Sequence, residues 1–197
     1  SLAQQIDTVL KNKEKNPAEQ IPPLVVRLFD SDPDTVVDQY ITENFAKEVG
    51  KLIAQSNNIL VYGAEKEYSS LSTNAAMEAD KNNGITVGIT GGKGKYVFGD
   101  FRPTILIPCG LEIGGGREFT LIQSCDVIIA ISGGSGTLTE MAIAYQANIP
   151  IITVDQFGGW AKKLSNKFID DRKRLKCLKA STPEEAVELA IKVANNQ

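Results

Sequence analysis

The chain has 197 residues, of which 42% are hydrophobic and 23% charged, and a formal net charge of −3. This is the profile of one globular domain with room for a filled core, and it argues against a nucleic-acid binder built on a broadly basic face. The absence of histidine removes Ser–His and Cys–His nucleophile pairs and histidine-ligated metals from the available chemistries.

The three cysteines, Cys109, Cys125 and Cys177, are far apart and form no CxxC pair. That pattern predicts free thiols in a reducing compartment rather than a disulfide framework or a zinc site. With no signal-peptide pattern at the start and no apolar run of membrane-spanning length, the expected location is the cytoplasm, away from membranes.

In chain order, residues 1–20 are polar with a short apolar spacing at Leu2, Ile6 and Leu10, which predicts a peripheral helix or arm ahead of a domain over 21–197. Leu24 to Phe29 reads as the first strand. Asp32-Pro33 is an N-cap followed by proline at the first helical position. Val37, Ile41, Phe45, Val49, Leu52 and Ile53 then follow at helical spacing.

A second strand is expected over 58–62, ending at Gly63, then a helix through Ala75, Ala76 and Ala79 that Gly84 stops. Ile85 to Ile89 forms a third strand. The glycine-rich, basic stretch from Gly91 to Pro103 has no clear period and reads as a long loop, either a functional lid or disordered. A short strand over 104–108 leads to Gly114-Gly115-Gly116 and a helix over 117–124.

The apolar run Val127 to Ile131 predicts a central strand, followed by a glycine turn and a helix to about Ala147. Strand 150–154, helix 160–166, strand 176–179 and a final helix complete the chain. Thr182, Pro183 and Glu185 give that last helix a capping-box pattern. Alternating strands and helices with near-continuous apolar strands define an α/β fold: a mostly parallel sheet with helices on both faces.

Two familiar nucleotide motifs are absent. Gly88 to Lys95 has five residues between its outer glycines and Tyr96 where a magnesium-binding Ser or Thr would stand, so it is not a Walker A loop. No GxGxxG follows the first strand, and a dehydrogenase fingerprint is missing. The stretch Ser132-Gly133-Gly134-Ser135-Gly136-Thr137-Leu138-Thr139-Glu140 is more informative. A strand, a glycine turn and a helix start leave free backbone N–H groups and a positive dipole end at one point, which suits a phosphate.

Gly133, Gly134 and Gly136 allow close backbone approach, and Thr137 adds a hydroxyl donor at the helix start; the same glycines also serve a tight turn. Glu140, three residues after Thr137, either stands beside a ligand or completes a capping box. Arg117 opens a helix and is either an anion anchor or an exposed surface arginine.

Arg117 and Asp126 are nine positions apart, and Asp126 and Glu140 fourteen. Arg117 through Asp126, followed by SGGSGTLTE, resembles the LOG family, formerly misnamed lysine decarboxylases. That family belongs to a Rossmann-like nucleotide-binding superfamily that includes molybdenum-cofactor carrier proteins. The resemblance spans about residues 58–155, and Gly159-Trp160-Ala161 with Leu164 is most similar to the carrier branch.

It implies a single Rossmann-like domain, a homodimer or larger assembly, and a small phosphate-bearing ligand. Two functions follow from it. One is a carrier that binds a nucleotide or the molybdenum cofactor with no further cofactor required. The other is a hydrolase releasing free base and ribose 5-phosphate from a nucleoside 5′-monophosphate, with Arg117 and Glu140 catalytic and Gly133, Gly134, Ser135, Gly136 and Thr137 holding the phosphate. Three positions depart from the pattern: Ser132 replaces proline, Glu118 replaces a lysine, and Gly63-Ala64-Glu65-Lys66-Glu67-Tyr68 replaces a glycine-rich loop.

Overall fold

The computed structural model describes residues 24–28, 36–65, 69–113 and 116–196. The expected arm over 1–20 and the Asp32-Pro33 helix start lie outside the described residues. Seven strands, β1 (Leu24–Leu28), β2 (Ile59–Gly63), β3 (Ile85–Thr90), β4 (Ile105–Pro108), β5 (Val127–Ala130), β6 (Ile151–Val154) and β7 (Leu178–Ala180), form one sheet in the order β4-β3-β2-β1-β5-β6-β7. Every neighbouring pair is parallel.

The chain winds outward from β1 to β4, then crosses back to β5 on the other side of β1. In an open α/β sheet that reversal opens a crevice at the C-terminal ends of the strands, where ligands bind.

Among the described residues, six helices cover the sheet: α1 (Val36–Gln55), α2 (Leu71–Lys81), α3 (Gly116–Gln123), α4 (Ser135–Ala147), α5 (Gly159–Leu164) and α6 (Pro183–Ala194). On one face α1 packs against α2 and α6; on the other α4 packs against α3 and α5. Strand β5 shows how the sequence specifies this. Val127, Ile129 and Ile131 join the core under α1, α2 and α6, while Ile128 and Ala130 join the core under α3, α4 and α5. A strand buried on both faces has no polar alternation, which is why 127–131 reads as one apolar run.

Most expected elements are present, with boundaries moved by a residue or two. Asparagine, more than glycine, ends the helices: Asn57, Asn83, Asn148 and Asn166 take left-handed backbone (φ 57°, 61°, 60° and 59°) just beyond α1, α2, α4 and α5, a conformation asparagine tolerates better than most residues. The final strand starts later than expected. Lys176 forms an isolated antiparallel bridge with Phe168, and the Cys177 N–H donates to the Lys167 carbonyl at 2.8 Å. That contact turns the chain before it can join β6.

The α6 capping box is offset. Thr182 accepts from the Glu185 N–H at 3.2 Å, but Glu185 reaches back to the Ser181 N–H at 2.7 Å rather than to that of Thr182. No helix among the described residues is long and apolar enough to cross a membrane.

The stretch from Gly91 to Pro103 contains neither helix nor strand. Its base is closed by the Gly92 N–H to the Leu111 carbonyl and the Gly110 N–H to the Gly92 carbonyl, both at 2.8 Å. Phe101 packs against the α1–α2 core, its ring 6.2 Å from that of Tyr62.

Close packing of α1 on α2 depends on small residues. A Cβ at Gly50 would stand 2.1 Å from the Ala75 carbonyl oxygen, and backbone cannot move aside as a flexible side chain does. Gly50→Ala is expected to lower unfolding free energy by about 1–3 kcal/mol, read as a lower urea midpoint at unchanged slope.

Candidate functional site

The C-terminal end of β5 lies beside the reversal in strand order. There the chain turns sharply through Ser132, Gly133 and Gly134 into α4. Gly134 is the N-cap and offers no side-chain cap, so the first N–H groups of α4 are left for other acceptors. The helix begins at Ser135, which makes Thr137 its third residue. Thr137 therefore does not cap the helix, and the capping-box reading of Thr137 and Glu140 is set aside. The Thr137 hydroxyl is nonetheless buried, with the residue 1% exposed, and its Oγ1 has no hydrogen-bond partner among the described residues.

Two glycines fix this turn. Gly133 has φ of 113°, and a Cβ there would lie 2.0 Å from Thr137 Oγ1. Gly159, with φ of 60°, brings the start of α5 so close that a Cβ would stand 2.4 Å from the Gly133 nitrogen. Three hydrogen bonds clamp the two segments. The Trp160 N–H donates to the Gly133 carbonyl at 2.8 Å, the Ala161 N–H to the Ser132 carbonyl at 3.3 Å, and the Ser132 hydroxyl to the Phe157 carbonyl at 3.0 Å. Gly136 is different: a Cβ there would meet nothing within 4 Å. Ser135 is exposed beside it.

Arg117 approaches from the start of α3. It is buried, 6% exposed, which excludes the surface-arginine alternative. Its guanidinium lies against the end of β2, where a Cβ on Gly63 would be 3.3 Å from Cζ. Two carboxylates hold it: Nη1 donates to Glu65 Oε1, and Nη2 to Glu118 Oε1 at 3.1 Å. Arg117 Nε is buried and has no hydrogen-bond partner among the described residues. Burial opposes the charge on Arg117, but the bond to Glu65 and the fields of Glu65, Glu118 and Glu140 outweigh it and raise its affinity for the proton.

Glu140, itself buried, thus lies within electrostatic reach of Arg117. The structure therefore sets Arg117 within electrostatic reach of Glu140, which lies on the helix that the 133–137 turn opens. Asp126 is not among them: it precedes β5 and is exposed at the opposite end of that strand.

In sequence Glu65 stood out only as a departure, and Gly159 only as part of the carrier-branch resemblance, not as a partner of the turn. Its signal was present, since Gly158-Gly159 follows β6 as the glycine turn follows β5. The basic side chains of the 91–103 loop, Lys93, Lys95 and Arg102, are exposed, and Arg102 donates to the loop's own Phe101 carbonyl at 2.8 Å. All three cysteines are free thiols. Burial, with the fields of Asp126 and Glu140, pushes the Cys125 thiol well above its ordinary value, and burial pushes Cys177 up to about 11. Both are poor nucleophiles.

A doubly wound parallel sheet with its polar site at the C-terminal strand ends defines a Rossmann-like protein. The sequence profile of the SLOG cluster4 family matches residues 34–187, and the chain belongs to that LOG-like family. An uncharacterized protein of Archaeoglobus fulgidus is 31% identical over 103 residues, a match spanning 52% of this chain and 64% of that protein. Among solved structures, that of TM1055 superposes with a TM-score of 0.73 at 24% identity, over 86% of this chain and 99% of that one. The molybdenum cofactor binding protein of Rippkaea orientalis superposes with a TM-score of 0.70 at 26% identity, over 89% of this chain and 99% of that one.

The two glycines of the turn should separate in their effects. Gly133→Ala combines left-handed backbone with a clash and should cost about 2–4 kcal/mol of stability. Gly136→Ala, with free space and ordinary dihedrals, should leave stability unchanged or raise it by about 0.4–1 kcal/mol. Thermal and urea unfolding of the two variants reads the contrast.

Proposed function

We propose that this protein binds a phosphate-bearing, cofactor-sized molecule, with the phosphate on the 133–137 turn and the molybdenum cofactor as the concrete candidate cargo. The observation that carries this reading is the pairing of a buried, unpartnered Thr137 hydroxyl with an uncapped helix start over which Gly136 leaves open space. An unsatisfied buried hydroxyl costs free energy, and a phosphate oxygen would satisfy it while accepting from the helix N–H groups. The similarity to the Rippkaea orientalis cofactor-binding protein supports the cofactor class. Three free thiols fit a reducing compartment such as the cytoplasm.

A second reading, hydrolysis of a nucleoside 5′-monophosphate, is favoured by one observation: Arg117 and Glu140 lie within electrostatic reach of each other beside the turn. In that reading Glu140 stabilises positive charge developing on the ribose as the base departs. Arg117 orients the substrate. The engagement of Arg117 by two carboxylates favours binding over this chemistry.

One set of titrations tests both. The purified chain is titrated with molybdopterin and with AMP, CMP, GMP and UMP, and free base is followed by chromatography. For the carrier, binding occurs without base release. Thr137→Val weakens it by roughly tenfold or more at equal or higher stability, since the hydroxyl lost is unpaired in the free protein. Base release that disappears in Glu140→Gln would instead make the hydrolase reading the correct one.

We also infer self-association. Phe119 of α3 and Leu138, Thr139, Ala142, Ile143 and Gln146 of α4 line an apolar groove, and Phe119 is 52% exposed. Ile143 and Ala144, whose apolar character in sequence suggested helix surface beyond the core stripe, are both buried in the core, so the exposed apolar surface of this groove is led by Phe119. Light scattering on a sizing column should show a dimer or larger species, and Phe119→Glu should shift it to monomer without unfolding it.

A further inference from the structure

Arg117 is bound by more negative charge than its own burial requires. A buried guanidinium needs a counter-charge, and Glu118, the next residue on the same helix, supplies one through Nη2 at 3.1 Å. Glu65 supplies a second from a different part of the chain, the segment after β2, and takes Nη1. Together the three side chains carry one positive and two negative charges, and Glu140 adds its field to the same guanidinium.

The two carboxylates are not equivalent. Glu118 is sealed in, with its side chain 5% exposed, while that of Glu65 is 15% exposed and is the more open of the three. Gly63 lets the guanidinium lie against the strand end at the edge of the sheet that also carries the 133–137 turn. Glu65 is therefore the carboxylate of the two that is more open to solvent.

An arginine with a free fork at this edge would bind phosphate by paired N–H donors. The crevice would then offer an anion two competing seats, the guanidinium and the helix start. We propose that Glu65 is a specificity-determining residue: it takes the Nη1 edge of Arg117, excludes anionic groups there, and leaves the 133–137 turn as the seat for a phosphate. The last clause rests on the reading of the turn given above, whereas the exclusion at Arg117 does not. By the same electrostatics, the ligand portion that meets Arg117, Glu65 and Glu118 is neutral or a hydrogen-bond donor. A second phosphate or a carboxylate there would face the field of two carboxylates at short range.

The test titrates the full chain with inorganic phosphate and with ribose 5-phosphate by calorimetry at low ionic strength, for wild type, Glu65→Gln and Glu65→Ala. Glu65→Gln keeps the side-chain volume and an acceptor for Nη1; Glu65→Ala is the second variant should the first fold poorly, and circular dichroism checks both. Both should bind inorganic phosphate about tenfold or more tightly than wild type. The gain should vanish when Arg117→Met is added and persist when Thr137→Val is added.

Unchanged or weaker phosphate binding in a folded Glu65 variant overturns the proposal. So does a gain that survives loss of Arg117. Wild-type binding that is indifferent to Thr137→Val, alongside a gain in Glu65→Gln, sinks the reading of the turn and leaves the role of Glu65 standing.

Discussion

Burial of β5 on both faces is the constraint on which the rest depends. A strand at the centre of a parallel sheet spends all its side chains on the two cores, as Val127 through Ile131 do, and has none left for a ligand. Polar chemistry must then come from the strand ends, where backbone N–H groups are released as the chain turns. In this protein the turn is tight because Gly133 adopts a conformation closed to other residues and because Gly159 lets α5 press against it. The three hydrogen bonds between the segments make the turn rigid before any ligand arrives. Preorganised donors of this kind cost little on binding.

The second element of the site obeys a different rule. Arg117 enters a buried position where an unpaired charge is not tolerated, and the protein answers with carboxylates from two elements. The fields of Glu65, Glu118 and Glu140 outweigh the burial of the guanidinium, so the cation persists. The crevice thus has an electropositive helix start and, next to it, a cluster rich in negative charge. On the proposed function, such polarity orients a ligand carrying a phosphate at one end only. A crevice with two free cationic seats would not.

Much of the fold was legible because its signals are local. Apolar runs at 59–63, 85–90, 127–131 and 151–154 and the helical spacing between them need no knowledge of contacts. The Ser132–Glu140 turn was legible for the same reason, and its fixed distance from Arg117 along the chain carried the family resemblance. Boundaries were less so, since a long-range contact decides them: β7 begins at Leu178 because the Cys177 N–H is drawn to Lys167.

The amino-acid sequence by itself determined the α/β class, the glycine turn after β5, and the absence of histidine chemistry, since periodicity, dihedral freedom and composition are properties of neighbouring residues. Only the tertiary structure decided the fate of Arg117, Glu65 and Asp126. In sequence Arg117 was as well suited to the surface as to the site, Glu65 was a departure from a pattern, and Asp126 was one member of a motif. Packing buried the first beside Gly63, placed the second on it from 52 residues away, and left the third exposed at the far end of β5. Charge placement is settled by which strand ends meet, and that depends on the order in which the sheet is assembled.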